Sequence, residues 1–166
     1  MDVLYNEFAG YLTAICSRYI ANDDDVKDVL QECFISIFTN ISSFKYHGKG
    51  SLKAWMTKIV VNESLSFLRK NKVSPLVFTQ QELSDVSEEK PNLEDIKEEE
   101  ILEMIRKLPK GYREVFNLYA IDGYSHKEIA QMLGIQPASS ASQFHRARMI
   151  LASMIRQKRN LADSRK

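Results

Sequence analysis

Apolar residues recur at three- and four-residue spacing along almost the whole chain, and this period constrains the fold more than any other feature. Its cleanest run is Val26, Val29, Leu30, Cys33, Phe34, Ile37, Phe38 and Ile41, which lays one apolar stripe along a helix. Upstream, Leu4, Phe8, Tyr11, Leu12, Ile15 and Tyr19 predict a helix over residues 3–20. Residues 22–25, Asn-Asp-Asp-Asp, offer a cap and an acidic first turn for the striped helix. A third helix is predicted over residues 51–72, with Leu52, Met56, Ile59, Val60 and Phe67 as core candidates. No segment alternates as a half-buried strand does. The predicted class is all-α, and three helices in about 70 residues suffice for a small bundle.

The period breaks over residues 73–92, where Pro75, Pro91 and several Ser, Glu and Asp residues replace large apolar ones, the composition of a linker. A helix is expected to resume near Leu93 and run to Lys107, with Pro109 behind it. Three more helices are predicted: residues 111–121, stopped by Gly123; a second from Ser125 to about Leu133; and a third from Pro137 to about Lys158. Charge divides the chain in the same places. Residues 1–72 carry nine basic and eight acidic side chains, residues 73–105 two and ten, and residues 106–166 twelve and four. A basic last third behind an acidic middle points to a polyanion-binding module beside a solvated connector. The expected organisation is two small helical domains, 1–72 and 106–166, joined by an acidic linker with the start of the next helix over 73–105.

The chain opens with an acidic Met1-Asp2-Val3-Leu4-Tyr5-Asn6-Glu7, without the basic segment of a secretory signal, and it lacks an apolar run approaching the ~18 residues of a membrane span. A cytoplasmic location is expected. Cys16 and Cys33 then read as small hydrophobes with reduced thiols. The sequence holds no phosphate-cradling glycine loop, metal-ligand cluster or nucleophile–base arrangement, and its histidines are scattered at His47, His126 and His145. Binding rather than catalysis is expected, with no cofactor and no metal.

Residues 125–148 have the form of a helix-turn-helix. Ser125-His126-Lys127-Glu128 is a capping box, Ala130 is small enough for a second helix to cross closely, and Gly134-Ile135-Gln136 makes the turn. In the helix that follows, Ser140, Phe144, Ala147, Leu151 and Met154 form a core stripe. Ser139, Ser142, His145, Arg146 and Met149 fall mostly on the other side. Small residues come first, which lets backbone N–H groups approach phosphate. Arg146 and Arg148 follow within reach of base edges or phosphates. On these residues alone, two other readings stay open: a regulator binding its operator as a dimer, and a helical adaptor whose basic surface is incidental.

The order of motifs adds a resemblance. Leu108-Pro109-Lys110-Gly111-Tyr112-Arg113-Glu114-Val115-Phe116, then Gly123-Tyr124-Ser125-His126-Lys127-Glu128-Ile129-Ala130, then His145-Arg146-Ala147-Arg148, resemble the second promoter-reading domain of bacterial RNA polymerase sigma factors, most closely the extracytoplasmic-function (ECF) group. Asp28-Val29-Leu30-Gln31-Glu32-Cys33-Phe34 resembles the family's helix for binding polymerase core. Lys53-Ala54-Trp55, Val61-Asn62 and Leu68-Arg69-Lys70 resemble its first promoter-element segment. The resemblance covers roughly residues 4–72 and 100–158.

It implies a sigma factor that binds RNA polymerase core and promoter DNA, with an anti-sigma factor as an expected further partner. Asp28, Gln31, Glu32 and Ile35, at i, i+3, i+4 and i+7, would form the core-binding face. The loop with Lys45, Tyr46, His47 and Lys49 would capture an unstacked base of the −10 element, since aromatic and basic groups suit single-strand capture. Trp55, Lys58, Asn62 and Arg69 would extend that site, with Ser66 on the same helix face. The −35 element would be read from Ala141, Ser142, His145 and Arg146, with Ser139 and Arg148 completing the set. The chain departs from the family in carrying Ala141 and Gln143 where members often have basic residues, and Pro137 at the helix start.

Overall fold

The computed structural model describes residues 2–71 and 96–163, and the chain divides into two units, 1–73 and 74–166. Pro75 and Pro91 lie outside the described residues, and the helix expected from near Leu93 begins later, at Glu98, with extended Lys97 as its N-cap. Every regular element among those described is helical.

The first unit packs α1 (Asp2–Tyr19), α2 (Asp23–Asn40) and α3 (Ser51–Lys70) against one another. Asn22 caps α2 as its residue type predicts, its side-chain oxygen accepting from the backbone N–H groups of Asp24 at 2.9 Å and Asp25 at 3.0 Å. Leu12, Ile15, Cys16, Tyr19 and Ile20 of the first segment bury against Val26, Val29, Cys33, Phe34 and Ile37 of α2 and the inner face of α3. At about 1.5–3 kcal/mol for each large apolar side chain removed from water, this cluster holds the three helices together.

On α2 and α3 the core differs from expectation. Ile41 is 38% exposed, because α2 stops at Asn40 and a 3-10 turn, Ile41–Ser43, rotates the stripe away from the core. On α3, Leu52, Ile59 and Phe67 are only half-buried, whereas Met56, Val60, Val61, Ser64, Leu65 and Leu68 form the buried wedge. A helix touching two neighbours buries a broader wedge than a single apolar stripe marks. Small Ser64 is admitted to it, its hydroxyl donating to Cys16 Sγ at 3.6 Å.

The second unit contains α4 (Glu98–Arg106), α5 (Lys110–Phe116), a π-helical turn (Asn117–Ile121), α6 (His126–Leu133) and α7 (Pro137–Asp163). α7 is the spine, contacted by α4, α5 and α6. Met104, Ile105, Leu108, Ala147, Ile150, Leu151 and Ile155 make its core; Ile150, Ala152 and Ile155 join the predicted stripe of α7, whereas Phe144 and Met154 of that stripe are only half-buried. The buried Arg113 ties α5 to α4, its Nη1 donating to the Arg106 carbonyl at 2.7 Å. The helix predicted over 111–121 is thus two pieces: Asp122 N–H donates five residues back to the Asn117 carbonyl, which widens the last turn.

Candidate nucleic-acid interface

Ser125 opens α6 with a complete capping box. Its Oγ accepts from Glu128 N–H at 3.3 Å, while Glu128 Oε2 accepts from Ser125 N–H at 2.8 Å and from Ser125 Oγ at 2.7 Å. The Ser125 hydroxyl and backbone bonds hold the Glu128 carboxyl below its ordinary pKa. Gly134 closes α6 at φ +67°, a left-handed conformation that a β-carbon would strain, and α7 begins three residues later.

An imidazole clasp, invisible as a motif, fixes the first turns of α7. The π-helical turn lays the Tyr119 ring flat on His126, centroids 4.2 Å apart and planes 8° from parallel. His126 Nδ1 lies 2.9 Å from the hydroxyl of fully buried Ser140, and Phe144 tilts against Tyr119 at 4.5 Å. The only local sign of this was Ser140, a polar residue inside an apolar stripe, which needs a hydrogen-bonding partner when buried.

The outer side of α7 presents Ala141, Ser142, His145 and Arg146 exposed, and Ser139 half-buried. Arg148 is also exposed but leaves the helix on another flank, its guanidinium 6.0 Å from the Phe144 ring centre, since two residues turn a helix by about 200°. Arg146 leans toward α5, where its Nη1 donates to Tyr112 Oη at 3.3 Å. The two arginines therefore do not form one cluster.

In the first unit, Lys45, Tyr46, His47 and Lys49 all stand exposed on the loop before α3, Tyr46 by 73%. Positive φ at Gly48 and Gly50 turns this loop. Ser51 staples it, its hydroxyl donating to the Gly48 carbonyl at 2.7 Å and accepting from His47 N–H at 3.2 Å. Phe44 anchors the loop base on half-buried Trp55, centroids 5.3 Å apart. Lys58, Asn62 and Arg69 are exposed, with half-buried Ser66 on their side of α3. On α2, Asp28, Gln31 and Glu32 are exposed and Ile35 is 53% exposed. The first three line a groove of about 390 Å³ whose opposite wall is Glu63, Ser66, Phe67 and Lys70 of α3. Glu63 and Lys70 were not anticipated, although the α3 set repeats the i, i+3, i+4, i+7 spacing of the α2 set.

Among the described residues no group of His, Cys, Asp and Glu could hold a metal ion, and no helix is long and apolar enough to cross a membrane. Burial pushes the Cys33 thiol up to about 12, which keeps it protonated at neutral pH.

Two family profiles match the chain in the order of its units: Sigma-70 region 2 over residues 4–73 and Sigma-70 region 4 over residues 98–151. A helical chain with both regions is of the sigma-70 class of transcription factors. The ECF RNA polymerase sigma factor SigW of Bacillus subtilis (strain 168) is 30% identical over 161 residues, spanning 86% of this chain and 81% of its own. The ECF RNA polymerase sigma-E factor of Haemophilus influenzae is 26% identical, spanning 93% and 86%. With the ECF RNA polymerase sigma factor SigE of Mycolicibacterium smegmatis the identity is 26%, across 90% of this chain, which covers 59% of that relative's length. The fold matches that of the sigma factor RpoE solved with the anti-sigma factor NepR from Bartonella quintana, at TM-score 0.55 and 21% identity over 94% and 98% of the two chains. The chain belongs to the ECF RNA polymerase sigma factors. It directs promoter-specific transcription initiation with RNA polymerase and works by binding, not by catalysis.

Proposed function

We propose a division of labour between the two units. Residues 1–72 bind polymerase core through Asp28, Gln31, Glu32 and Ile35. They melt and read the −10 element through Lys45, Tyr46, His47, Lys49, Trp55, Lys58, Asn62 and Arg69. Residues 106–166 bind the −35 element through Ser139, Ala141, Ser142, His145, Arg146 and Arg148. The observation that carries this reading is the outer side of α7: small Ala141 and Ser142 exposed together with His145 and Arg146 on a helix whose opposite side is locked into the core. Exposed Tyr46 among basic neighbours supports single-strand capture in the first unit. The free energy for opening comes from binding exposed bases and backbone better than duplex.

The acidic residues of 73–105 oppose DNA binding by the free protein and favour a positively charged path on polymerase. An anti-sigma factor is proposed as a further partner, as in the Bartonella complex, and the cytoplasm as the site of action. Runoff transcription with RNA polymerase core, followed by start-site mapping, tests the reading. Starts at defined promoters that require the chain are expected; no directed initiation from any genomic template overturns it.

A further inference from the structure

The first turn of α5 grips the exposed side of α7 at two points. Tyr112 packs its ring against the second unit's apolar core, and its hydroxyl emerges where Arg146 Nη1 donates to it at 3.3 Å. One residue earlier, Gly111 faces Gln143. A β-carbon on Gly111 would stand 3.0 Å from Gln143 Oε1, tighter than ordinary contact, so the bare glycine leaves room for this side chain. Gln143 and Arg146 are three residues apart and share one side of α7.

Arg146 is an exposed arginine on a flexible stem, and ordering it against DNA costs rotamer freedom. A phenol oxygen held by a packed ring directs one guanidinium N–H and leaves its other donors free for DNA. Pre-orientation matters more here because Ala141 and Gln143 supply no positive charge on this helix, and Arg148 leaves α7 toward Phe144 instead. We infer that Tyr112 is a positioning residue for Arg146, so that α5 contributes to promoter discrimination through the recognition helix. The inference rests on the proposed reading that α7 faces the −35 element.

The test uses holoenzyme made from the full chain and RNA polymerase core. Its probes are a promoter fragment found by start-site mapping and the same fragment with the −35 element scrambled. Tyr112→Phe removes the hydroxyl and keeps the packed ring; thermal unfolding unchanged from wild type is expected. Arg146→Ala is expected to reduce discrimination between the fragments about 5- to 150-fold, the range for one lost base-edge contact. Tyr112→Phe is expected to reduce it about 2- to 10-fold, the range for one hydrogen bond. The double variant is expected to discriminate no worse than Arg146→Ala. Additive losses in the double variant overturn the inference, because Tyr112 would then act independently of Arg146. So does an equal loss on both fragments. A silent Tyr112→Phe beside a damaging Arg146→Ala overturns the inference and leaves the −35 reading standing; a silent Arg146→Ala overturns both.

Discussion

Arg146 and Arg148 carry the same charge two positions apart, yet one rests on a phenol hydroxyl of α5 and the other beside Phe144. They should fail differently. Arg148→Ala is expected to weaken DNA binding by the holoenzyme almost equally on different promoters and to lower the salt slope by about one, the signature of a lost phosphate contact. Affinities over a salt series check this, and a sequence-selective loss would move Arg148 to base reading. At Cys33, burial raises the thiol from 9.0 to about 12. The folded state therefore holds a proton that the unfolded chain releases earlier. The stability linked to this group is complete below about pH 9 and is lost as pH climbs toward 12. Urea unfolding at pH 8 and pH 11 is expected to show a larger loss for wild type than for Cys33→Ala. Equal losses would show that Cys33 is not shielded.

Among the elements, α6 is short and owes much of its definition to its ends. Eight residues are too few for an isolated helix in water, so its cap and its burial of Ile129 and Ala130 must hold it. Ser125→Ala removes the hydroxyl that serves both Glu128 groups and is expected to cost about 1 kcal/mol. Faster amide hydrogen exchange in α6, with α2 unchanged as internal control, is the measurement. α3 is stabilised from its inner wedge instead. Met56→Ala empties a fully buried site and is expected to cost about 2–5 kcal/mol in the first unit's unfolding. A loss below about 0.5 kcal/mol, the range of an ordinary surface substitution, would mean that Met56 is not packed as described.

At the scale of the whole molecule, the chain combines a groove edged by Asp28 and Glu32 in one unit with an arginine-bearing helix in the other. Charge reversal at Asp28 and Glu32 is expected to impair association with polymerase core while leaving helix content intact, because both side chains are exposed and neither supports the apolar core. Normal core affinity in that variant would remove these residues from the docking face. Free chain is expected to bind promoter DNA far more weakly than holoenzyme does, and gel shifts with and without core measure the difference.

Helical class and several helix boundaries were legible in the sequence, because they depend on period, caps and glycines, all local properties: Asn22 and Ser125 begin helices, and Gly134 ends one. The exposed candidates on α2 and α7 were legible for the same reason, since a helix's polar side is fixed once its apolar side is known. What each side chain meets across space was not. Phe67 lines a groove instead of filling the core, His126 clasps Ser140, and Tyr112 meets Arg146 thirty-four positions away. Those pairings belong to the tertiary structure alone, because they follow from how helices cross and from a π-helical turn that no residue spacing announces. Period is written into each helix separately; contact between helices exists only once packing has chosen their angles.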